Sequence, residues 1–428
     1  MANPSETAKG RTFGPVLAIF LTVLLDMLGF AMFIPDLQLR GEGFVRDFLH
    51  LAPDAVDSRI GLLLGLQIAA FSIAQLITAP ILGRLSDTRG RRIVLLISSA
   101  LSVVAYGVYA FAPSLPFLIL SRALSGIAAA NLGVAFAYVS DVTKPEERAK
   151  TMGFLGAAFG IGFILGPGLG VLLLHLGGDK PFLLGLVAAG FALVNFLFIF
   201  TLLPESLVLS GEKRVRSLVG DLREAFRSPT LALLLVVFFM VQLGFTGLET
   251  TFFRLLETPR WIFGLNNDAK RIGAIVLGLV GIIAAFMQGV VIRNLPKGTD
   301  ERKVLRYAYL LFIPSLALVP FLPLWFPGVL AILGLGISNG LAQPTLSSLI
   351  SRNAPLGIVG GIFGVTQALG ALARVLGPLI GNPLFEWRPY APYVFGAGLA
   401  CIPAYLIWTT RLTLTPASVS YAPEGAPS

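Results

Sequence analysis

Twelve apolar runs follow one another along this chain, and shorter polar segments separate them. A helix of about 20 apolar residues is long enough to cross the hydrocarbon core of a bilayer. Only 13% of the 428 residues are charged, whereas a soluble domain has about 25%. The pattern therefore predicts an all-α polytopic membrane protein with twelve transmembrane helices.

The predicted spans, numbered 1 to 12 in chain order, are 13–35, 60–83, 93–113, 115–138, 151–174, 182–203, 231–255, 272–292, 305–322, 325–350, 358–385 and 390–412. The predicted domains are a polar tail at 1–12, a six-helix bundle at 13–204, a cytoplasmic connector at 205–228, a second six-helix bundle at 229–412 and a disordered tail at 413–428. The mixed-charge segment Arg40–Arg59 is predicted to be an external loop, and an amphipathic helix is predicted near 218–226.

An even number of spans places both termini on one side, and most Lys and Arg residues fall in the segments on that side. The positive-inside rule therefore predicts cytoplasmic termini. The net charge of +9 is assigned to membrane orientation rather than to nucleic-acid binding. One cysteine, Cys401, excludes an intramolecular disulfide, and His50 and His175 form no metal-ligand pattern. No cofactor and no metal are predicted.

Parts of the first half of the chain recur in the second half. The residues Gly153, Gly166, Pro167 and Gly170 recur at a constant offset as Gly364, Gly377, Pro378 and Gly381. A second match, Leu28-Gly29-Phe30, recurs as Leu243-Gly244-Phe245. Two matches favour an internal repeat of six helices, which suits a transporter that rocks about a central site. The alternative is chance recurrence in a glycine-rich apolar sequence.

The segment Gly83–Arg92, GRLSDTRGRR, joins spans 2 and 3 and is called the signature segment here. Five of its residues match the signature of the major facilitator superfamily, G-x-x-x-D-R/K-x-G-R-R/K: Gly83, Asp87, Gly90, Arg91 and Arg92. Thr88 departs from that pattern. The resemblance implies a short cytoplasmic gating loop. Charged residues after spans 4 and 6 lie near it, and ion pairs there are expected to form only when that face is closed: Asp141, Glu146, Glu147, Arg148 and Glu205. The alternative is an ordinary basic loop between two helices.

Span 5 carries a second set of matching residues: Gly153, Gly162, Gly166, Pro167 and Gly170. They resemble the antiporter motif G-x(8)-G-x(3)-G-P-x-x-G-G, except that Val171 replaces the last glycine. Proline kinks a helix and glycines let a neighbouring helix pack closely. The resemblance implies an exporter, whereas a glycine-rich packing face would give the same residues without setting a transport direction.

Four ionisable residues fall inside predicted spans: Asp26, Arg122, Glu249 and Arg374. A charge in a bilayer is costly, so such residues usually face a bundle interior or a water-filled cavity. Asp26 begins LDMLGFAMFIP, which resembles the antiporter pattern D-x-x-G-x-G-x-x-x-P with Ala31 at the second glycine. A carboxyl group there can carry a proton, or it can be a structural acid that caps or pairs with a neighbouring helix.

Arg122 begins RALSGIAAA in span 4, which resembles the family motif R-x-x-x-G-x-x-A-A. Arginine stays charged, so it cannot carry the proton. It can hold an anionic substrate or control proton release, or it can tie helices together through backbone carbonyls. Glu249 in span 7 is predicted as a second protonation site, a substrate counter-charge or a residue of the cavity mouth.

Further polar residues in the spans are candidates for lining a cavity. They are Gln67, Gln75, Asn131, Asn195, Gln242, Asn339, Gln343, Gln367 and the ambiguous Arg374.

The resemblance covers about 13–412 and implies two pseudo-symmetric bundles that work by alternating access. The patterns of spans 1 and 5 look most like drug/proton antiporters, which include the tetracycline exporters. They imply proton-coupled efflux of a small lipophilic or cationic compound across a bacterial inner membrane. The alternatives are a transporter of a sugar, metabolite or lipid without proton coupling and, more remotely, a membrane receptor or enzyme.

Overall fold

The structure is a computed structural model. It describes residues 4–52, 57–143, 148–178, 180–206, 218–257, 269–292, 294, 296, 299–321, 326–354 and 359–409. Within those ranges the chain is helical, with short turns and no β-strand.

The first half contains nine helices in its described part: α1 (Pro4–Met32), α2 (Ile34–Leu39), α3 (Gly41–Phe48), α4 (Ser58–Arg89), α5 (Arg91–Ala110), α6 (Leu115–Ala129), α7 (Leu132–Val142), α8 (Arg148–Leu176) and α9 (Pro181–Leu202). The amphipathic helix predicted in the connector is observed as α10 (Leu218–Arg227). The second half contains α11 (Pro229–Glu257), α12 (Ala269–Phe286), α13 (Glu301–Leu318), α14 (Phe326–Asn353), α15 (Val359–Trp387) and α16 (Ala391–Thr409). A π-helical turn, Met287–Ile292, extends α12.

The predicted external loop at Arg40–Arg59 is wrong over most of its length. The chain stays helical after Met32, through α2 and α3, as far as Phe48. Pro35 lies within the first two positions of α2. Backbone N–H groups at these positions have no partner within the helix, so a proline there costs no helical hydrogen bond. Two ion pairs at i,i+4 spacing, Asp36–Arg40 and Glu42–Arg46, stabilise the continuation.

The signature segment is also not the ten-residue loop that the sequence predicted. Helix α4 continues to Arg89, and α5 begins at Arg91. The turn consists of Gly90, whose φ of 107° lies in a region that glycine adopts without strain. Arginine is a good helix former, so a basic segment need not be irregular.

The two halves have separate cores. Three of the four clusters of buried apolar side chains lie between Ala18 and Leu203, and the fourth lies between Ala225 and Ile407. Contacts between the halves are made chiefly by α4 with α15, α8 with α12 and α2 with α11. The arrangement is two bundles that meet along a few helices.

The internal repeat is visible in how the glycines pack. A Cβ atom at Gly166 of α8 would collide with Ala31 of α1, and one at Gly377 of α15 would collide with Thr246 of α11. Gly162 and Gly170 contact the backbone of α1 in the same way. Three glycines of span 5 therefore let α8 pack closely on α1, as predicted, and the repeated Gly377 and Gly381 do the same for α15 on α11, whereas a Cβ atom at Gly364 would meet no other atom. Gly153 also lies in α8, but the atoms packed around it are outside the part of the chain that the structure describes.

Candidate functional site

A cavity of about 40 Å³ lies between the two halves. That is room for about three waters. Helices α1, α2, α4 and α6 line it from the first half, and α11 and α15 line it from the second. The lining residues are Phe30, Ile34, Leu37, Gln38, Ile68, Ser72, Arg122, Thr246, Glu249, Thr250, Arg374 and Pro378.

Arg122 is held in this cavity by close packing of α6 against α4. Gly126 lies one helical turn after Arg122, and a Cβ atom there would collide with the backbone of Phe71 on α4. This contact brings the Arg122 guanidinium to 4.8 Å from the centre of the Phe71 ring. The rings of Phe30 and Phe33 lie 5.7 Å and 5.9 Å away. We call Phe30, Phe33 and Phe71 the aromatic cage.

The guanidinium of Arg122 has few polar partners for a charge so deeply buried. Its side chain is 2% exposed. Within the described part of the chain, its Nε and Nη1 atoms have no hydrogen-bond partner, and no carboxylate forms a salt bridge with it. Among the described residues, these two atoms therefore do not tie helices together through backbone carbonyls.

Glu249 and Arg374 face the same cavity from α11 and α15 of the second half. Their charges interact, but among the described residues they form no direct salt bridge. The cavity lining thus holds two guanidinium groups and one carboxylate. Proton uptake by Glu249 would not require an ion pair to break.

Asp26 does not line the cavity, because it faces the interior of the first half. Its two carboxylate oxygens accept hydrogen bonds from the side-chain amides of Asn131 at 3.0 Å and Asn195 at 3.4 Å. The fourth predicted span breaks between α6 and α7, and Asn131 lies at this break. Its side chain points at Asp26. Asn195 also donates to Ser99 at 2.9 Å. Neutral amides hold this carboxylate, so a proton can bind or leave without breaking an ion pair.

We expect Asp26→Asn to lower transport driven by a pH gradient at least about tenfold, equivalent to about 1.4 kcal/mol. The variant keeps the size of the side chain but cannot bind a proton. The measurement is uptake into proteoliposomes under an imposed pH gradient. Asp57→Asn, at the exposed start of α4, is the matched control. Unchanged uptake in the Asp26 variant would exclude this carboxyl group from coupling.

An ion-pair cluster joins the two halves at the helix ends that lie next to α3 (Gly41–Phe48). We call this end of the interface between the halves the α3 face. Arg254 of α11 bonds to Glu42 of α3 at 3.0 Å and to Glu386 of α15 at 2.5 Å. Its side chain is 7% exposed, and its guanidinium lies 4.7 Å from the centre of the Phe385 ring. One arginine therefore binds carboxylates from both halves, which holds this face closed.

Burial alone would raise the pKa of Glu42, but Arg254 and Arg46 together lower it below its ordinary value. A lowered pKa means that the charged form is favoured in this closed arrangement. The contribution of Glu42 to the stability of this closed arrangement is therefore fully present at any pH above its ordinary pKa. That contribution is lost as the pH falls through the lowered pKa.

Gln38 makes a second connection at the α3 face. Its side-chain amide donates to the backbone carbonyl of Glu249 at 2.7 Å and accepts from the backbone N–H of Phe253 at 2.9 Å. Those two backbone groups are four residues apart, and a regular α-helix joins such a pair directly. A side chain of the first half thus bonds to both backbone groups of one such pair in α11, at the residue that carries the cavity carboxylate.

Sequence reasoning missed Gln38, Glu42, Arg254 and Asp36 because it placed most of them in or beside a loop. Asp36 is 3% exposed, pairs with Arg40 at 2.9 Å and accepts a hydrogen bond from the Tyr109 hydroxyl at 2.5 Å. The signal was present in the spacing, since Asp36–Arg40 and Glu42–Arg46 are acid–base pairs four residues apart. Such spacing favours a helix over a loop.

A family model described as Major Facilitator Superfamily matches residues 19–378. The chain belongs to the major facilitator superfamily. It is 31% identical to human major facilitator superfamily domain-containing protein 10, over 92% of each chain. It is 32% identical to the Escherichia coli tetracycline resistance protein, class C, over 91% of this chain and 96% of that protein. The crystal structure of the human organic anion transporter MFSD10 superimposes with a TM-score of 0.69 at 29% identity, covering 92% and 99% of the two chains.

This membership confirms the predicted fold class of a major facilitator transporter, with twelve spans in two pseudo-symmetric bundles. By length and apolarity alone, eight helices within the described ranges are sufficient to cross a membrane. The transporter is a multi-pass integral membrane protein, and its relatives and structural neighbours are transporters rather than enzymes.

In the transporter, the signature segment forms its ion pairs inside the first half. Arg91 bonds to Asp87, to the Ser86 hydroxyl at 2.6 Å and to Asp141 at 3.2 Å. Glu205 accepts hydrogen bonds from the backbone N–H groups of Arg91 and Arg92 at 2.8 Å and 3.1 Å. For Asp141 and Glu205, the expectation that these pairs depend on closure between the halves is wrong, because α4, α5, α7 and the end of α9 belong to one bundle. Glu146 and Glu147 lie outside the described residues. A gating role for the segment stays a prediction.

We expect Glu205→Gln to lower the stability of the transporter by about 0.5–2 kcal/mol, because a carboxylate at the start of α5 binds its unpaired N–H groups. The measurement is the midpoint of thermal unfolding in detergent. Glu224→Gln is the control, since Glu224 forms an exposed pair with Arg227 on α10 and such pairs contribute little. Equal midpoints for the two variants would contradict the capping role.

Most of the polar cavity candidates have other partners. Gln67 is fully buried and donates to the backbone carbonyl of Leu37 at 2.9 Å. Gln343 donates to Gln242 at 3.4 Å within the second half, and Asn131 binds Asp26. Long polar side chains in an apolar bundle find the nearest acceptor, which is often not in the cavity. Of the polar cavity candidates, only Arg374 lines it; Gln67, Asn131, Gln242, Asn339 and Gln343 do not.

Proposed function

We propose that the chain is a proton-coupled secondary transporter that exports a small lipophilic organic compound by alternating access. The observation that carries this proposal is Glu249, a carboxylate without a salt bridge in the described structure, in a cavity between two pseudo-symmetric halves. Such a group can bind a proton in the same space that receives the substrate.

The contacts between the halves support alternating access. Gln38 and Arg254 join the halves on the α3 face, and Gly61 and Gly65 of α4 pack there against the backbone of α15. On the other side, Ile77 and Ile81 of α4 are more than half exposed. Opening the first set of contacts and closing the other end would expose the cavity to the opposite side of the membrane.

Export is supported by the motif residues that the chain shares with antiporters and by relatives named as tetracycline resistance proteins. A relative named as an organic anion transporter supports an organic substrate. A cationic substrate is not favoured by the lining, since it already holds two guanidinium groups and one carboxylate. The apolar residues Phe30, Ile34, Leu37 and Ile68 favour a lipophilic one. Cytoplasmic termini and a bacterial inner membrane remain part of the proposal.

The test is transport in proteoliposomes with a panel of lipophilic compounds, with and without an imposed pH gradient. We expect accumulation of at least one compound that depends on the gradient and disappears when a protonophore is added. Movement of a compound that is indifferent to the gradient would contradict proton coupling and favour the alternative, a facilitator of the same fold. Chemical conversion of a compound without transport would favour a membrane enzyme.

A further inference from the structure

We propose that Arg122 binds the anionic group of an organic monoanion, with the apolar wall of the cavity holding the rest of the molecule. This proposal rests on the proposed transport function and names the substrate class of the same cavity. The carboxylate or equivalent group would bond to guanidinium atoms that have no partner in the described chain.

The Arg122 guanidinium has hydrogen-bond donors without partners among the described residues. Buried charged groups are nearly always paired, because an unpaired charge away from water is costly. Arg122 is 2% exposed, its Nε and Nη1 atoms have no partner in the ranges that the structure describes, and it lines the cavity. Arginine presents its N–H groups in a fixed fork that matches the two oxygens of a carboxylate. The site is therefore incomplete without an acceptor.

The formal charges of the cavity lining do not sum to zero. Of the three ionisable residues that line the cavity, Glu249 and Arg374 interact with each other, which leaves Arg122 without compensation. The nearby acid Asp36 pairs with Arg40 and Tyr109 instead. A monoanion brings the sum of these charges to zero, whereas a monocation would raise it to two positive charges.

Apolar and aromatic side chains lie beside the Arg122 guanidinium. The aromatic cage packs around the guanidinium and fixes its orientation, because cations are attracted to the faces of aromatic rings. The cavity wall beside it is formed by Phe30, Ile34 and Ile68. These groups suit an anion with an aromatic or aliphatic body. The space in this arrangement is about 40 Å³, so such an anion enters as the halves separate.

The test uses 4-benzoylbenzoate, a photoreactive aromatic monoanion, and its neutral isostere 4-benzoylbenzamide. Binding to the full chain in lipid nanodiscs is measured without a pH gradient, so the result does not depend on transport. We expect the carboxylate to bind at least about tenfold more tightly than the amide, as loss of one charge-assisted hydrogen bond predicts. We expect Arg122→Gln to weaken binding of the carboxylate about 10- to 100-fold and to leave binding of the amide unchanged.

Arg59→Gln is the control, because Arg59 lies outside the cavity and pairs with Asp57. Equal affinity of the two probes for the wild type, or undiminished carboxylate binding in a folded Arg122→Gln variant, would overturn the proposal. If that variant does not fold, the wild type is illuminated with bound 4-benzoylbenzoate and the crosslinked residues are identified. Crosslinks between Phe30 and Gln38 or between Ile68 and Ser72 support the proposal. Crosslinks confined to other segments overturn it. Gradient-driven transport of other compounds without carboxylate preference would reject the anion site alone. Carboxylate binding without any gradient-driven transport would reject the proposed function alone.

Discussion

Glu249→Gln should reduce accumulation driven by a pH gradient at least about 100-fold, equivalent to about 2.7 kcal/mol. Glutamine keeps the size and polarity of the side chain but cannot bind a proton. A carrier that cannot take up the proton can still reorient with substrate bound. Exchange of substrate between the two sides, in the absence of a gradient, should therefore remain close to that of the wild type.

Both quantities can be measured in the same proteoliposomes, with gradient-driven uptake in one series and counterflow of labelled substrate in the other. Glu224→Gln, on the surface of α10, serves as the control and should change neither. Gradient-driven uptake that persists in the Glu249 variant would remove this carboxyl group from the coupling mechanism. Loss of counterflow as well would show instead that Glu249 is needed to bind substrate.

Arg254→Met should open the α3 face. Glu42 and Glu386 both bond to the Arg254 guanidinium, one from each half. Without the arginine, these two carboxylates are left close together across the interface. Removal of one partner from a buried ion pair costs about 3–5 kcal/mol. Because the cluster is partly exposed, we expect about 2–3 kcal/mol, or a 30- to 150-fold change in the ratio of open to closed transporter.

The opening can be followed by spin labels at Phe48→Cys and Trp387→Cys, two exposed positions on opposite halves of this face. Cys401 would be replaced first, so that only these sites react. The distance between the labels should lengthen in Arg254→Met. Arg46→Met is the matched control, since Arg46 binds Glu42 on its own helix and does not join the halves through that bond. Identical distance distributions in the wild type and Arg254→Met would refute the role of the cluster.

The fold was largely readable from sequence because a bilayer constrains it so strongly. Apolar runs have to be helices, since backbone groups cannot stay unpaired in lipid. Most of the span 5 glycines, and the repeats Gly377 and Gly381, mark where α8 meets α1 and α15 meets α11, because close approach of two helices requires small residues. Arg122 and Glu249 were recognisable as cavity residues because a charge in an apolar run has few other places to go.

The parts that sequence reasoning missed depend on contacts between distant residues. Polar residues after Pro35 look like a loop when the partners that stabilise them, Arg254 and the backbone of α11, are more than 200 positions away. The break between α6 and α7, which directs Asn131 to Asp26, has no proline to mark it. Neither feature follows from local propensity, because tertiary contacts decide both.

The position of Gln38 on α11 has a consequence for the energy of switching. Its side-chain amide bonds to the carbonyl of Glu249 and the N–H of Phe253, two groups at the spacing of one helical hydrogen bond in α11. When the halves separate on the α3 face, these two groups can bond to each other, so opening leaves no backbone group of α11 unsatisfied. This contact between the halves can therefore be broken at a lower cost in free energy than one made by two groups that have no other partner.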